Sequence, residues 1–176
     1  MKIIAYGGSN SRHSINRKFA TWTAGLFENA EVEVLDMLDY TMPLFSVDLE
    51  KEIPTPEPVA TLLEKIASAD LIVLSLAENN SSYNAGFKNI FDWVSRTNPK
   101  QFQGKPMLLM ATSPGKRGGA SVLEGAMRHF PFYGADIKAT FSLPSFYQHF
   151  DEEKGITDAE LRSKLLAIVT QLSSSL

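Results

Sequence analysis

In the first third of the chain, the spacing of apolar and polar residues predicts a strand, a helix and a second strand. Lys2 to Tyr6 is a short apolar run that predicts a buried strand. Apolar residues then recur at helical spacing, at Ile15, Phe19, Trp22 and Leu26. Glu31 to Leu35 alternates like a strand near the sheet edge, while the prolines between Asp36 and Pro58 predict an irregular segment.

The rest of the chain repeats the same strand and helix periods. Residues 69–76, 105–112 and 135–141 predict three further strands, of which the first is apolar throughout and suits a central position. Helices between and after them are predicted by apolar stripes at Val59, Leu62, Leu63 and Ile66; at Phe87, Ile90, Phe91 and Val94; at Val122, Leu123, Ala126 and Met127; and at Leu161, Leu165, Ile168 and Leu172. Thr157 and Glu160 have the spacing of a capping box for the last helix.

Five strands alternating with helices predict an α/β fold with a doubly wound parallel sheet. The right-handed crossover rule leaves few topologies, and we expect the flavodoxin-like strand order 2-1-3-4-5 with helices on both faces. The length suits one domain spanning residues 1–176. In such sheets a ligand binds beyond the carboxyl ends of the strands, between strands 1 and 3.

The loop after the first strand, residues 7–17, carries the strongest functional signal. Its two glycines predict a sharp turn, and three serines, two asparagines and two arginines follow. A helix start has unpaired N–H groups and the positive end of the helix dipole, so added hydroxyls and an arginine make a seat for a phosphate group. The sequence matches neither the dinucleotide fingerprint nor the triphosphate P-loop.

Two more polar loops follow the third and fourth predicted strands. Residues 77–84 and 113–119 leave the sheet at the same edge as the first loop. One loop suited to phosphate and two suited to the polar edge of a ring indicate a mononucleotide with a flat base. FMN is the usual occupant of that crevice.

Charge and composition argue against several classes of protein, among them nucleic-acid-binding, membrane-spanning and metal-binding proteins. A net charge of -3 argues against nucleic-acid binding, and no run approaches membrane-spanning length. Because Met1 and Lys2 lead straight into a strand, we expect no signal peptide. The absence of cysteine excludes disulfides and thiolate chemistry and fits a reducing cytoplasm. His13, His129 and His149 lack metal-ligand spacing, so no metal site is expected; His13 is expected near the phosphate.

Three segments together resemble the NADPH-dependent FMN reductase family, which includes quinone, azo-dye and chromate reductases. The stretch from Gly8 to Asn16 is similar to the family's Gly-Ser-x-Arg-x-x-Ser-x-Asn loop, with one residue fewer between the arginine and the second serine. The stretch from Glu78 to Trp93 is similar to its Pro-Glu-Tyr-Asn segment and Lys-Asn-containing helix. Ser113 to Gly119 resembles the glycine-rich loop on the far side of the flavin.

The resemblance implies roles for particular residues. The phosphate would be held by Ser9, Arg12, Ser14, Ile15 and Asn16, with Arg17 either a helper or a surface residue. The ring would be lined by Glu78, Asn79, Asn80 and Ser81 on one side and by Ser113, Pro114, Gly115, Gly118 and Gly119 on the other. Phe45, Lys116 and Arg117 are candidates for contact with substrate or nicotinamide.

Other matching residues have an expected structural role. Lys88 and Asp92 lie one helical turn apart and are expected to pair, while Asn89 and Trp93 are expected to support the core or a subunit interface. The chain departs from the family at Ala77 and Asn79, where proline and tyrosine are usual. Loss of that aromatic side chain puts the affinity for FMN in question.

The resemblance implies a cytoplasmic FMN-dependent oxidoreductase. A hydride from NADPH or NADH would pass to flavin N5, and the electrons would then pass to a quinone, azo compound, metal oxyanion or free flavin in a ping-pong cycle. No side-chain acid or base is required, because the chemistry belongs to the cofactor. The alternatives are a flavodoxin-type electron carrier and a flavin-free module on the same fold. Relatives of this kind are commonly homodimers or homotetramers, and we expect the same here.

Overall fold

The computed structural model describes residues 1–176 and contains one main parallel sheet flanked by helices. In chain order the elements are β1 (Lys2–Gly8), α1 (Ile15–Ala24), β2 (Glu31–Leu35), α2 (Val47–Glu52), α3 (Glu57–Ser68), β3 (Leu71–Asn79), β4 (Ser82–Tyr83), α4 (Ala85–Thr97), β5 (Pro106–Thr112), α5 (Ala120–His129), β6 (Asp136–Leu143), α6 (Phe146–His149), β7 (Phe150–Asp151), β8 (Gly155–Ile156) and α7 (Ala159–Ser175). Short 3-10 turns cover Met37–Tyr40 and Phe130–Tyr133. No helix is both long and apolar enough to cross a membrane.

The main sheet has the predicted order. Its parallel strands run β2-β1-β3-β5-β6, and only the short β4 adds to β3 in antiparallel fashion. Successive strands are added to the sheet in opposite directions on the two sides of β1, with β2 on one side and β3 on the other. β1 and β3 are parallel neighbours, in register from Ile3 opposite Leu71 to Gly8 opposite Leu76. The flavodoxin-like doubly wound fold is therefore confirmed.

Alternate residues of each strand pack against helices on opposite faces of the sheet. Ile4 and Tyr6 of β1 join the apolar cluster under α3, α4 and α5, while Ile3 and Ala5 join the cluster under α1 and α7. All four side chains are buried. Burial on both faces explains why the central strands are apolar throughout rather than alternating.

The segment between β2 and α3 is more regular than expected. It contains a 3-10 turn and the short exposed helix α2, which Ser46 caps by accepting the N–H of Leu49. Pro58 does not break a helix, because it lies in the first turn of α3, where proline costs no hydrogen bond.

Two further expectations are wrong in detail. The cap of α7 is Asp158, whose side chain accepts the N–H of Leu161, and not Thr157. A carboxylate is a good acceptor at this position, so the helix starts one residue later than a Thr157 cap would place it. Met127 is exposed although it follows the apolar period of α5.

The chain after β6 forms elements that the sequence pattern does not predict. The one-turn helix α6 leads into the β7–β8 hairpin, which packs on α1. Phe150 lies edge-on to both Phe19 and Trp22, with ring centroids 6.1 and 5.8 Å away. Gly155 has a φ of 74°, and a Cβ there would overlap the Trp22 indole. Aromatic packing therefore fixes this segment against α1.

Asn16 links α1 to two central strands. Its Oδ1 accepts the Ser75 hydroxyl (2.7 Å) from β3 and the Thr112 N–H (3.0 Å) from β5, and its Nδ2 donates to the Thr112 carbonyl (3.1 Å). The side chains of Asn16, Ser75 and Thr112 are all at most 2% exposed. These bonds fix the first turn of α1 at the carboxyl edge of the sheet.

We expect Asn16→Ala to lower the free energy of unfolding by about 3 kcal/mol or more, because the buried Ser75 hydroxyl, Thr112 N–H and Thr112 carbonyl each lose a partner and a group left unpaired costs about 1–3 kcal/mol. Urea unfolding of the chain without added flavin measures the loss. Asn10→Ala is the control, because Asn10 is exposed and only its backbone N–H is bonded. Equal effects of the two substitutions would contradict the assignment.

Candidate functional site

A cleft of about 220 Å³ opens at the carboxyl edge of β1, β3 and β5. It collects residues from all three polar loops that the sequence singled out. Its lining consists of Ser9, Ser11, His13, Ser14, Ile15, Asn16, Ala77, Glu78, Asn79, Thr112, Ser113, Pro114 and Tyr147. Eight of the predicted cofactor residues lie in this lining, namely Ser9, Ser14, Ile15, Asn16, Glu78, Asn79, Ser113 and Pro114.

Three serines in the first loop face the cleft with free hydroxyl hydrogens. The side-chain oxygens of Ser9, Ser11 and Ser14 accept the backbone N–H groups of Ser11 (3.2 Å), His13 (3.3 Å) and Arg17 (3.1 Å), respectively. None of these hydroxyls donates a hydrogen bond within the chain. The loop is thus held by the oxygens, while the hydrogens remain available to an anion.

The start of α1 supplies further donors. Ser14 caps the helix, and the N–H groups of Ile15 and Asn16 have no partner within the chain. The positive end of a ten-residue helix points at the same place. This set of donors fits a phosphate group, which accepts several hydrogen bonds and carries negative charge.

The glycines before this loop act differently from the turn that the sequence predicted. Gly7 and Gly8 lie inside β1, and neither has a positive φ. A Cβ on Gly7 would overlap the backbone of Arg17, and one on Gly8 would press on Leu76 and Phe87. The glycines therefore allow α1 and α4 to approach the strand closely.

The two arginines of the first loop have separate roles. Arg17 pairs with Asp36 and donates to the Arg12 carbonyl (3.1 Å), so it braces the loop from outside the cleft. The Arg12 side chain is exposed, has no partner within the chain and does not line the cleft in this structure. Of the two, only Arg12 is free to turn onto an anion.

The second loop is a β-hairpin. The strand β3 continues through Asn79 and pairs with β4, so Asn80 and Ser81 form a tight turn with φ values of 50° and 61°. Both residues are exposed and lie outside the cleft, unlike Asn79. Sequence reasoning missed the hairpin because its second strand has only two residues.

Side chains near the hairpin hold the neighbouring elements. The Glu78 carboxylate accepts the Val122 N–H (2.9 Å) in the first turn of α5. Asn84 caps α4, accepts the Asn10 N–H (3.3 Å) and donates to Asn79 Oδ1 (3.0 Å). Asn84 therefore connects the first and second loops, a role that its position in a polar run did not reveal.

The hairpin's Tyr83 is turned away from the solvent. Its hydroxyl is buried without a hydrogen-bond partner, and its ring stacks on Phe130 with centroids 5.8 Å apart. Burial, with a smaller contribution from Tyr133, raises the pKa of Tyr83 to about 12. The phenol therefore stays neutral at physiological pH.

The third loop faces the cleft only at Ser113 and Pro114. Of the expected ring-lining glycines, Gly118 and Gly119 pack against the chain itself, whereas Gly115 is exposed and lies outside the cleft. The Gly115 carbonyl accepts the Ser145 N–H (2.9 Å), and a Cβ on Gly118 or Gly119, with φ values of 57° and 78°, would strike neighbouring residues. The small size of Gly118 and Gly119 serves the packing of this loop on β5 and β6.

Lys116 and Arg117 are exposed and lie outside the cleft. The Arg117 guanidinium donates to the Ser121 hydroxyl (2.9 Å) within α5. The positions of Lys116 and Arg117 therefore fit a solvent-exposed basic turn and give no support to the expected contact with nicotinamide.

The matching helix segment of α4 has a structural role. Lys88 and Asp92 pair at 2.7 Å, as expected. Asn89 binds the Phe45 N–H (2.8 Å) and the carbonyls of Met42 and Pro43, and Trp93 donates to the Pro43 carbonyl (2.7 Å). These bonds fasten the segment after β2 to α4.

Phe45 belongs to the segment after β2 that is bonded to α4. It is partly buried and meets the Trp93 ring edge-on, with centroids 5.2 Å apart. It does not line the cleft, so the structure does not bring it to the expected substrate position.

Five residues of the cleft were not among the predicted cofactor residues: Ser11, His13, Ala77, Thr112 and Tyr147. The first two belong to the predicted phosphate loop, and His13 was expected near the phosphate. Thr112 ends β5. Tyr147 lies beyond β6, where the pattern predicts no element, so only the folded chain brings it to the cleft.

Comparisons with known proteins agree with this geometry. The family model of NADPH-dependent FMN reductase matches residues 1–148. An uncharacterized protein of Mycoplasma pneumoniae is 30% identical over 159 residues, which cover 86% of this chain and 92% of that protein. The quinone reductase of Escherichia coli K12 is 39% identical over 121 residues, or 68% of this chain, and this chain spans 64% of the length of that enzyme.

Among solved structures, FerB, a flavoenzyme NAD(P)H:(acceptor) oxidoreductase from Paracoccus denitrificans, superposes with a TM-score of 0.76. It is 25% identical, and the match covers 98% of this chain and 95% of FerB. The chain therefore belongs to the NADPH-dependent FMN reductase family, and it is an oxidoreductase whose cofactor is FMN and whose co-substrate is NAD(P)H.

Proposed function

We propose that this enzyme passes electrons from NAD(P)H through bound FMN to a small-molecule acceptor, with a quinone as the favoured class. The observation that carries the proposal is the cleft. In it, hydrogen-bond donors without partners in the chain, suited to a phosphate, lie beside residues of two further polar loops. The name of the Escherichia coli relative, a quinone reductase, supports a quinone, whereas the name of the Paracoccus flavoenzyme leaves its acceptor open. Azo compounds, metal oxyanions and free flavin remain alternative acceptors.

The phosphate end of the cleft is the first loop. The hydroxyls of Ser9, Ser11 and Ser14 and the N–H groups of Ile15 and Asn16 would donate to the phosphate oxygens. Asn16 would contribute through its backbone, because its side-chain oxygen already binds Ser75 and Thr112. Arg12 would add the opposite charge.

The ring end lies between the ends of β3 and β5. Ala77, Glu78 and Asn79 would border one edge of the flavin, with Ser113 and Pro114 at the other. FMN, when bound, would supply two-electron redox chemistry between NAD(P)H and a quinone. The chain's part is to hold the ring in position beside an open cleft that two substrates enter in turn.

We propose the same domain organisation, compartment and catalytic requirements that the sequence led us to expect. Residues 1–176 would form one FMN-binding domain. The enzyme would act in the cytoplasm, where reduced nicotinamides are available. It would act without a metal ion and without a catalytic side-chain acid or base.

The direct test is a visible absorption spectrum of the protein with FMN, recorded under anaerobic conditions. We expect NADPH or NADH to bleach the bound flavin within seconds, and a quinone added afterwards to restore the oxidised spectrum. Free FMN at the same concentration, without protein, is the control.

Other outcomes would contradict the proposal in distinct ways. Flavin that binds and stays oxidised would indicate an electron carrier of the flavodoxin type. Bleached flavin that a quinone leaves reduced would exclude the favoured acceptor class. Failure to retain FMN would favour a flavin-free module.

The role of the first loop is tested by comparing FMN with riboflavin, which has the same ring but no phosphate. We expect Arg12→Ala to weaken FMN binding about tenfold, because a charge-assisted contact is lost, and to leave riboflavin binding unchanged. Fluorescence titration measures both affinities. Arg128→Ala, at an exposed position on α5, is the matched control. Equal weakening for both ligands would show that Arg12 does not bind the phosphate.

We also propose a homodimer or homotetramer. The large apolar side chains of Leu44 and Val47, next to the segment that α4 fastens, are 82% and 56% exposed, which is costly for a monomer. Light scattering should give two or four times the 19.5 kDa chain mass. A single-chain mass at micromolar concentration would contradict this assembly, whereas Leu44→Lys should lower the mass if the patch is the interface.

A further inference from the structure

Tyr147 is an aromatic residue that has no role in the proposed reaction. It is 73% exposed, and its hydroxyl has no hydrogen-bond partner within the chain. Among Phe, Trp and Tyr side chains, it is the one in the lining of the cleft. An exposed tyrosine at the wall of a ligand cleft offers a flat apolar face and a polar tip.

The surrounding chain holds Tyr147 in place. The Phe146 N–H donates to the Ser113 carbonyl (3.0 Å), and the Ser145 N–H donates to the Gly115 carbonyl (2.9 Å). Phe146 is buried and meets the Tyr147 ring edge-on, with centroids 5.6 Å apart. The helical turn that carries Tyr147 is thus attached to the loop at the ring end of the cleft.

The backbone before Tyr147 is strained to reach this position. Ser145 has φ 48° and ψ 56°, a left-handed conformation that a residue with a side chain rarely adopts. It is only 6% exposed, so packing holds it there. Such a conformation turns the chain sharply between the end of β6 and α6 and directs the next residues back over the sheet edge.

The strand order places Tyr147 at a definite end of the cleft. The first turn of α1, which carries the phosphate donors, is bonded through Asn16 to the ends of β3 and β5. Tyr147 follows β6, the next strand beyond β5, and its neighbours Ser145 and Phe146 are bonded to the loop after β5. A mononucleotide with its phosphate on α1 would meet Tyr147 where it extends along the cleft toward the β6 side.

We infer that Tyr147 contacts the flat ring of bound FMN and is the aromatic wall of this site. The inference rests on the proposed function, because it requires FMN in the cleft. The hairpin supplies no such wall, since its cleft residues are Ala77, Glu78 and Asn79, and Tyr83 is buried against Phe130. The aromatic contact thus comes from the segment after β6.

The test compares Tyr147→Ala, Tyr147→Phe and the unsubstituted chain by fluorescence titration with FMN. We expect Tyr147→Ala to weaken binding about tenfold, as loss of one stacked aromatic does for a base. Tyr147→Phe should keep the affinity within about threefold, because the stacking surface remains. Phe132→Ala is the control, since Phe132 is also 73% exposed and lies outside the cleft.

The emission of bound FMN gives a second readout that does not depend on activity. A tyrosine in contact with the ring quenches flavin fluorescence by electron transfer, so both Tyr147 variants should make the bound flavin brighter. Unchanged affinity and emission in Tyr147→Ala, with FMN still bound, would overturn this inference alone. Failure of the unsubstituted chain to bind FMN would overturn the proposed function and this inference with it.

Discussion

The contact between the first turn of α1 and the edge of the central strands is the constraint on which this site depends. Asn16 bonds to β3 and β5 from a buried position, and Gly7 leaves room for the helix backbone against β1. Neither feature touches a ligand by its side chain. Together they fix where the unpaired N–H groups of the helix point, and thereby where the proposed phosphate site lies.

Most polar side chains of the recognisable motifs hold loops rather than ligands. Glu78 caps α5, Asn84 joins two loops, Asn89 fastens the segment after β2, and Arg17 braces the first loop. Each satisfies a backbone group that would otherwise be unpaired at a loop. The groups left free for the proposed ligand contacts are hydroxyl hydrogens, backbone amides and exposed side chains, which suits a reaction carried by a cofactor.

The sequence predicted the sheet well because buried strands and helices must repeat apolar residues at fixed periods. It predicted that the first loop lies at the candidate site because a helix start, serines and a strand end are all local features. It could not place Tyr147, since an exposed tyrosine on a one-turn helix has no period. The sequence also indicated the wrong role for Gly118 and Gly119, which were expected to line the flavin ring. Both must be small because Ser142 and Ala111 lie against them, and only the fold brings these residues together.

Different bonds attach the two walls of the cleft to the sheet. Asn16 fixes the first turn of α1 through side-chain bonds to β3 and β5, whereas backbone bonds from Ser145 and Phe146 fix the turn that carries Tyr147 to the loop after β5. Both attachments reach the end of β5, at Thr112 and Ser113, so this strand end sets the distance between the two walls. Because Tyr147 takes no part in either attachment, the proposed contact with the base would change with the side chain at position 147 while the N–H groups of α1 stay in place, and the two parts of a nucleotide would be recognised separately.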